Sequence, residues 1–400
     1  MVRIFFQKHF RSLTIITILI ASSCNYLDYK YNIYGVSTAQ DGIVKAYDFS
    51  SGEKGNEIGT GSLESGTLKI SVAADKEIIL LELEKFSFLD KIGKKKITSN
   101  ESTKWETLIV SPKPNSTYNI NPVTTLTSAL ARYKINSSDK NNSDSIKLAI
   151  EDANKTTGEH LGTIDIIGNI PNSLDSRIEN LSSETKYEFI LTSLNELAYH
   201  YQNSFEVFSN SSFNILDLTK SLCEDITFDG VIDGNSENGN TLIGEQIQSD
   251  KILKSELASS IYRVVENPSV NKTGLTFTES YDFINNISSS KSSLFKKDSP
   301  SYPFDFEPPE IKCEKPIDGY SYSDDIEIEC YILDKIPGVA ETKVKFNETD
   351  VQNLLTTPEV FYAKIGIDPL NTAIGTIEIT ATDKIGNRNI KTINISINKP

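Results

Sequence analysis

The chain has 400 residues, 38% of them hydrophobic and 24% charged, with 55 acidic side chains against 40 basic ones. That length exceeds the roughly 100–200 residues of one domain and predicts two or three separate cores. The acidic excess argues against nucleic acid as a partner, and because the charge is spread along the chain it reads as solubility.

The first 23 residues differ from the rest: Arg3, Lys8 and Arg11 are basic, and no acid precedes Asp28. Leu13–Ala21 is a largely apolar run, too short for the roughly 20 residues that span hydrocarbon and suited to the apolar core of a signal peptide. Ile20-Ala21-Ser22-Ser23-Cys24 resembles the lipobox of bacterial lipoproteins, with Ala21 where Leu is usual. The resemblance implies that residues 1–23 are a signal peptide and that Cys24 is lipidated and becomes the new N-terminus, with a membrane as its partner. More than one acyl chain, at about 0.8 kcal/mol per buried CH2, gives stable anchoring. The alternative is a plain leader whose cysteine joins a disulfide. Removing the leader takes three basic groups and no acid, so the acidic excess widens.

Residues 24–34 read as tether and linker, although the aromatic-rich Tyr26–Tyr34 also suits a first strand. From 35 to 112 the pattern is β-like, with Ile43–Phe49, Leu68–Val72, Ile78–Leu83 and Thr107–Val110 separated by turn signals at Gly52, Gly55, Gly59, Gly61 and Gly66. The strand Val44-Lys45-Ala46-Tyr47-Asp48 and the later Gly66-Thr67-Leu68-Lys69-Ile70-Ser71-Val72 resemble the carboxypeptidase-regulatory or prealbumin-like sandwich. That likeness implies a spacer or binding module without chemistry of its own.

Residues 118–297 switch to helical periodicity. Asn121 is placed to cap and Pro122 to occupy a first turn. Apolar stripes follow at Ile146, Ala149, Ile150 and Ala153; at Ile190, Leu191, Leu194, Leu197, Ala198 and Tyr201; and at Ile252, Leu253, Leu257, Ile261, Val264 and Val265. Each stripe needs a partner, which predicts an all-α bundle. The combination of Asn-Pro-Val-Thr-Thr-Leu at 121–126, Leu-Asn-Glu-Leu-Ala-Tyr at 194–199 and the run ending at Gly234 resembles a helical region of exported bacterial lipoproteins that carry Ig-like or cadherin-like repeats.

After a polar linker at 298–307, Pro308-Pro309 ends helical structure. Six alternating segments between Ile311 and Ile397 predict an Ig-like sandwich over 308–400. The opening Pro-Pro and the hairpin Ala381-Thr382-Asp383-Lys384-Ile385-Gly386-Asn387 resemble bacterial Ig-like and cadherin-like repeats, which implies a stalk or adhesive role. The chain is therefore expected to be multidomain α+β: N-terminal β-sandwich, central all-α bundle and C-terminal Ig-like β-sandwich.

Cys313 and Cys330 lie in alternating segments on the isoleucine side, so both thiols are expected in one core, joined as a disulfide in an oxidising compartment. Cys223 remains, in a helix-like run where a buried Cys acts as a small hydrophobe. Beyond the leader there are two histidines, His160 and His200, neither in a metalloprotease pattern nor beside a nucleophile motif, so no catalytic residue is expected. Glu82 and Glu84 alternate along a strand and read as its solvated face. Lys94-Lys95-Lys96 reads as a solvated turn.

The remaining polar cluster is Asp225, Asp229 and Asp233, with Gly230 and Gly234 beside them. Counted from Asp225 as an EF-hand-like loop, Asp229 is fifth, Gly230 sixth and Asp233 ninth, which would make calcium a cofactor. Yet Thr227 stands third and Ser236 stands twelfth, where a bidentate Glu belongs. These departures favour the plainer reading, a helix end followed by an Asx- and Gly-rich loop. The functional expectation is a lipid-anchored envelope protein that binds a host or envelope macromolecule. A periplasm-facing scaffold and a hydrolase seated in the helical domain are the alternatives.

Overall fold

A computed structural model describes residues 30–138, 142–163, 165–204, 213–237, 239–241, 253–289, 294, 307–334, 338–355, 357–366, 374–383 and 387–398. Cys24 and the leader before it lie outside the described residues, as does the turn of the 381–387 hairpin at 384–386.

The chain enters its first sheet at Lys30, inside the segment read as linker. Strand β1 (Lys30–Val36) pairs antiparallel with β4 (Thr67–Ala73) and parallel with β8 (Thr117–Asn119). Beyond β4 the sheet continues through β3 (Glu57–Glu64), β2 (Asp41–Asp48) and β5 (Ile78–Asp90). Strands β7 (Trp105–Val110) and β6 (Lys95–Thr98) share the outer edge of β5, β7 on Ile78–Leu83 and β6 on Ser87–Asp90. Between those halves Lys85 adopts a positive φ of 49° at a bulge, which bends the strand. Gly59 and Gly61, read as turn signals, sit inside β3 instead. A Cβ there would lie 2.5 Å from the Ser71 carbonyl oxygen and 2.9 Å from that of Lys69, so the glycines let β4 cross close to β3.

Ile78–Leu83 is buried at every position, as a strand covered on both faces requires. The cover on one side comes from the helices. Helix α1 (Pro122–Ser137) begins as its sequence predicts: Asn121 accepts from the Val123 and Thr124 amides in a capping box, with Pro122 in the first turn. Its Thr124 hydroxyl donates to the Glu106 carbonyl and its Thr125 hydroxyl accepts from the Glu106 N–H. The helix thus satisfies the free edge of β7. Around it lie α2 (Ser143–His160) and α4 (Ile215–Asp229), while α3 (Ser183–Ser204) packs on α5 (Leu253–Glu266) and α5 on α6 (Phe277–Ser288).

One continuous apolar core runs from Ile33 in the sheet to Leu294 beyond the helices. The helices therefore do not close a bundle of their own, because the broad buried face of α1 is matched to the sheet as well as to its neighbours.

After the two-residue strands β9 (Asn235–Ser236) and β10 (Gly239–Asn240), which pair with each other, a second, separate core fills the C-terminal sandwich. One sheet has the order β11 (Glu310–Lys315), β13 (Ile326–Leu333), β16 (Val360–Ile365). The other runs β12 (Ser321–Tyr322), β18 (Arg388–Ile397), β17 (Ile374–Asp383), β14 (Val339–Phe346), β15 (Thr349–Val351). Strands β12 and β15 are two- and three-residue edges that the alternation did not reveal.

Candidate functional site

A cleft of about 860 Å3 opens between the start of β7, helix α1 and helix α4. Lys104, Trp105 and Glu106 form one wall, Ala129 and Arg132 the floor, and Cys223 and Phe228 the opposite wall. Phe228 is 49% exposed, an apolar group held at the mouth. Cys223 is half-buried, and burial pushes its thiol up, so it is not a thiolate nucleophile at neutral pH.

The β7 wall continues into an ionic lattice. Lys104 sits 2.8 Å from Glu82 and 2.7 Å from Glu84; Lys54 reaches Glu82 at 2.6 Å and Lys45 reaches Glu84 at 2.9 Å. Arg132 pairs with Glu106 beside them. Glu82 is only 3% exposed. Its strand is central, so the face read as solvated is covered, and the acids survive there because each has two ammonium partners. The hydrogen bond from Lys104, reinforced by that from Lys45, overrides burial and holds the Glu84 carboxyl down at about 2. Burial alone would lower Lys104, but its bonds to Glu82 and Glu84 outweigh that and raise it.

Downstream, the structure brings Asp225, Asp229 and Asp233 together, with carboxylate oxygens of all three within 4.8 Å of one another. The frame is not an EF-hand loop. Residues 225–229 are still helical, and α4 ends with Gly230 in the left-handed region at φ 79°. Asp225 is buried and spends its carboxylate on the loop, accepting from the Asp233 N–H at 3.2 Å and the Gly234 N–H at 2.8 Å. Asp229 accepts from Val231 and Asp233 from Asn235 in Asx turns. Burial first, with Asp233 and Asp229 nearby, pushes Asp225 up to about 7 against the pull of its two amides.

His160 is buried at the end of α2 in a small apolar cavity with Leu126, Leu161, Leu194 and Leu197, the surroundings of a core residue. Cys313 and Cys330 are joined, directly opposite each other on β11 and β13. The bridge ties neighbouring strands of one sheet, with Cys330 fully buried among the isoleucines, as the alternation predicted. Lys94, Lys95 and Lys96 are exposed, but only Lys94 lies in the turn; Lys95 and Lys96 open β6, with Lys96 3.4 Å from Asp41.

Sequence reasoning missed a polar joint between the two cores. Arg263 on α5 donates to Glu196 at 3.0 Å and to Asn387 of the sandwich at 3.2 Å, and Asn387 in turn donates to the buried Asp383. Beside it the Tyr201 hydroxyl donates to Glu256, which is fully buried; burial pushes that carboxyl up to about 8. Only a Tyr and a Glu on separate helices were visible in advance, and their spacing carries no signal.

No family profile matches the chain, and no curated protein matches it. Solved structures similar to parts of it include β-sandwich domains of immunoglobulin or fibronectin-III type. The fibronectin(III)-like modules of Clostridium thermocellum CbhA share 16% identity over 23% of this chain and 47% of that one, with a TM-score of 0.19; this chain thus spans about half of theirs. The titin M3 domain shares 12% over 23% of this chain and all of its own (TM-score 0.18), and murine CRIg 18% over 23% and 98% (TM-score 0.17).

Proposed function

We propose that this is an exported lipoprotein of a bacterial envelope, anchored through acyl chains on Cys24, that binds a host or envelope macromolecule through non-catalytic modules. The observation that carries the reading is the Cys313–Cys330 bridge. Structural disulfides persist in exported proteins and are rare where thiols are kept reduced. The bridge therefore argues for export independently of the leader, from the other end of the chain. The open cleft and the C-terminal sandwich supply surfaces on which a tethered binder can act.

Mass spectrometry of the native protein extracted in detergent tests the anchor. The expected N-terminus is Cys24 carrying a diacylglycerol mass; a retained leader, or an unmodified thiol at a different start, overturns the reading. Added protease on intact cells tests the role, with cleavage of the C-terminal sandwich expected. A chain fully shielded until the envelope is opened would instead be a periplasm-facing scaffold.

A further inference from the structure

A second cleft is lined by α3, by the segment 170–173 and by residues of β1, β5 and β8, among them Val36, Phe88 and Asn119. We propose that this cleft, about 460 Å3 in volume, binds a neutral, hydroxyl-rich ligand of one or two sugar rings. The volume falls within the range of small-molecule sites.

Three features set the ligand's chemistry. Asn119, lining the cleft and fully buried, donates through Nδ2 to the Ile166 carbonyl at 3.0 Å and to the Asn169 carbonyl. Those two acceptors fix the orientation of the amide, so its buried Oδ1 is an acceptor, and among the described residues it has no hydrogen-bond partner. Buried acceptors are seldom left so, and a hydroxyl or amide donor would complete it.

The charges of the cleft are already matched among themselves. Lys91 stands between Asp175 at 3.2 Å and Glu188 at 3.9 Å. Lys272 also reaches Asp175 at 3.9 Å, so two ammoniums face two carboxyls; an anionic ligand would compete with the carboxyls for those ammoniums, and a cationic ligand would compete with Lys91 for its place. A neutral ligand avoids both costs. Glu188 is 12% exposed, and burial pushes it up to about 7, so near neutral pH it both donates and accepts. Finally, the lining sets apolar groups, Leu89 and Pro171, beside the amide of Asn195, while the buried Thr192 hydroxyl donates to Glu188 at 3.5 Å. A pyranose, with its C–H face and its ring of hydroxyls, has that same division.

The inference gives a ligand class to the binding reading above and is independent of the anchor, so it is tested on the soluble chain with Cys24→Ser, which removes acylation. Chitotriose, maltotriose and mannotriose are titrated calorimetrically, with saturation-transfer NMR as a second readout. At least one is expected to bind with a Kd in the millimolar range or tighter. Asn195→Trp, which fills the cleft from a half-exposed helix position, should weaken that binding at least tenfold with the melting temperature unchanged. Glu188→Ala should weaken it as well, and Glu188→Gln, which keeps a donor and an acceptor, should restore it. Failure of all three trisaccharides to bind, or equal affinity in wild type and Asn195→Trp, overturns the proposal. Either result leaves the mass of the native N-terminus, and hence the anchor, unaffected.

Discussion

The two cores meet the problem of buried polarity differently. The first combines sheet and helices into one large apolar interior, and within it lie five described carboxyls that burial pushes up: Glu188, Glu196, Asp217, Asp225 and Glu256. The second has sixteen buried apolar residues, keeps most of its charge at the surface, and adds a covalent bridge. There the half-exposed Glu327 is held below its usual range by the Lys315 ammonium, 2.7 Å away. Asp383 is the exception, buried at the joint with the first core. A large interior can hold acids in helix-packed sites, whereas a thin sandwich of this size gains more from a cross-link.

Breaking the bridge should separate the two most sharply. Cys313 and Cys330 close a loop with a separation of 17 residues, so reduction should cost the sandwich about 3 kcal/mol in the chain-entropy estimate. The only tryptophan, Trp105, is buried in the first core. Urea unfolding followed by its fluorescence should therefore not move on reduction, while the circular dichroism transition broadens or splits. Coincident shifts in both signals would show that the cores unfold as one unit.

Lys104→Met acts on the other side of the comparison. It leaves Glu82, nearly inaccessible, with Lys54 alone, and removes the main hydrogen bond of Glu84. Because Lys104 is about one-third exposed, the loss should fall below that of a fully buried pair, at about 2 kcal/mol. It should appear in the tryptophan-reported transition. An unchanged midpoint would mean that the lattice is solvated after all.

Much of this division was legible in the sequence, for reasons that differ by element. In the C-terminal half, alternation at period two placed the strands and put both cysteines on the core side, since a strand with one wet face writes its orientation into every second residue. The cap at Asn121 and Pro122 was equally local. What failed was non-local. Ile78–Leu83 and its neighbours Glu82 and Glu84 read as half-exposed because nothing in one strand announces that a helix will cover its other face. Gly59 and Gly61 carried a turn signal, although their real constraint is another strand's backbone. At the Asp225 cluster the favoured reading, a helix end followed by Asx turns, holds; the EF-hand frame does not, because α4 continues four residues past Asp225. The Arg263 joint and the Asn119 cleft depend on residues far apart in sequence, which no spacing records.

Acidity should distinguish the cores next. A carboxyl whose folded pKa is raised adds stability that is complete below its unfolded value near 4 and is lost as pH rises through the folded value. For Asp225 and Glu188 that window closes near 7, and for Glu256 near 8. The first core should therefore melt at a lower temperature at about pH 8.5 than at about pH 5.5, each carboxyl contributing a slope of at most about 1.4 kcal/mol per pH unit. The sandwich should respond little over the same range. Glu256→Gln should flatten the upper part of the curve, since Gln still accepts from Tyr201; an unchanged curve would mean that Glu256 is ionised in the native protein.

The smallest expected effect is that of calcium. Three carboxylates within reach of one another repel, and either a proton or a cation relieves them. Asp225 already lies near 7, and its two oxygens are engaged by the amides of Asp233 and Gly234, so at neutral pH the proton supplies part of that relief. Because the first five positions of the would-be loop are helical, the main-chain carbonyls there point along α4 and are not gathered around an ion. Millimolar calcium should then leave the melting temperature of the first core unchanged at about pH 6, where the proton is present. Stabilisation that grows between about pH 6 and pH 8, and disappears in Asp225→Asn, would show instead that the ion takes over as the proton leaves.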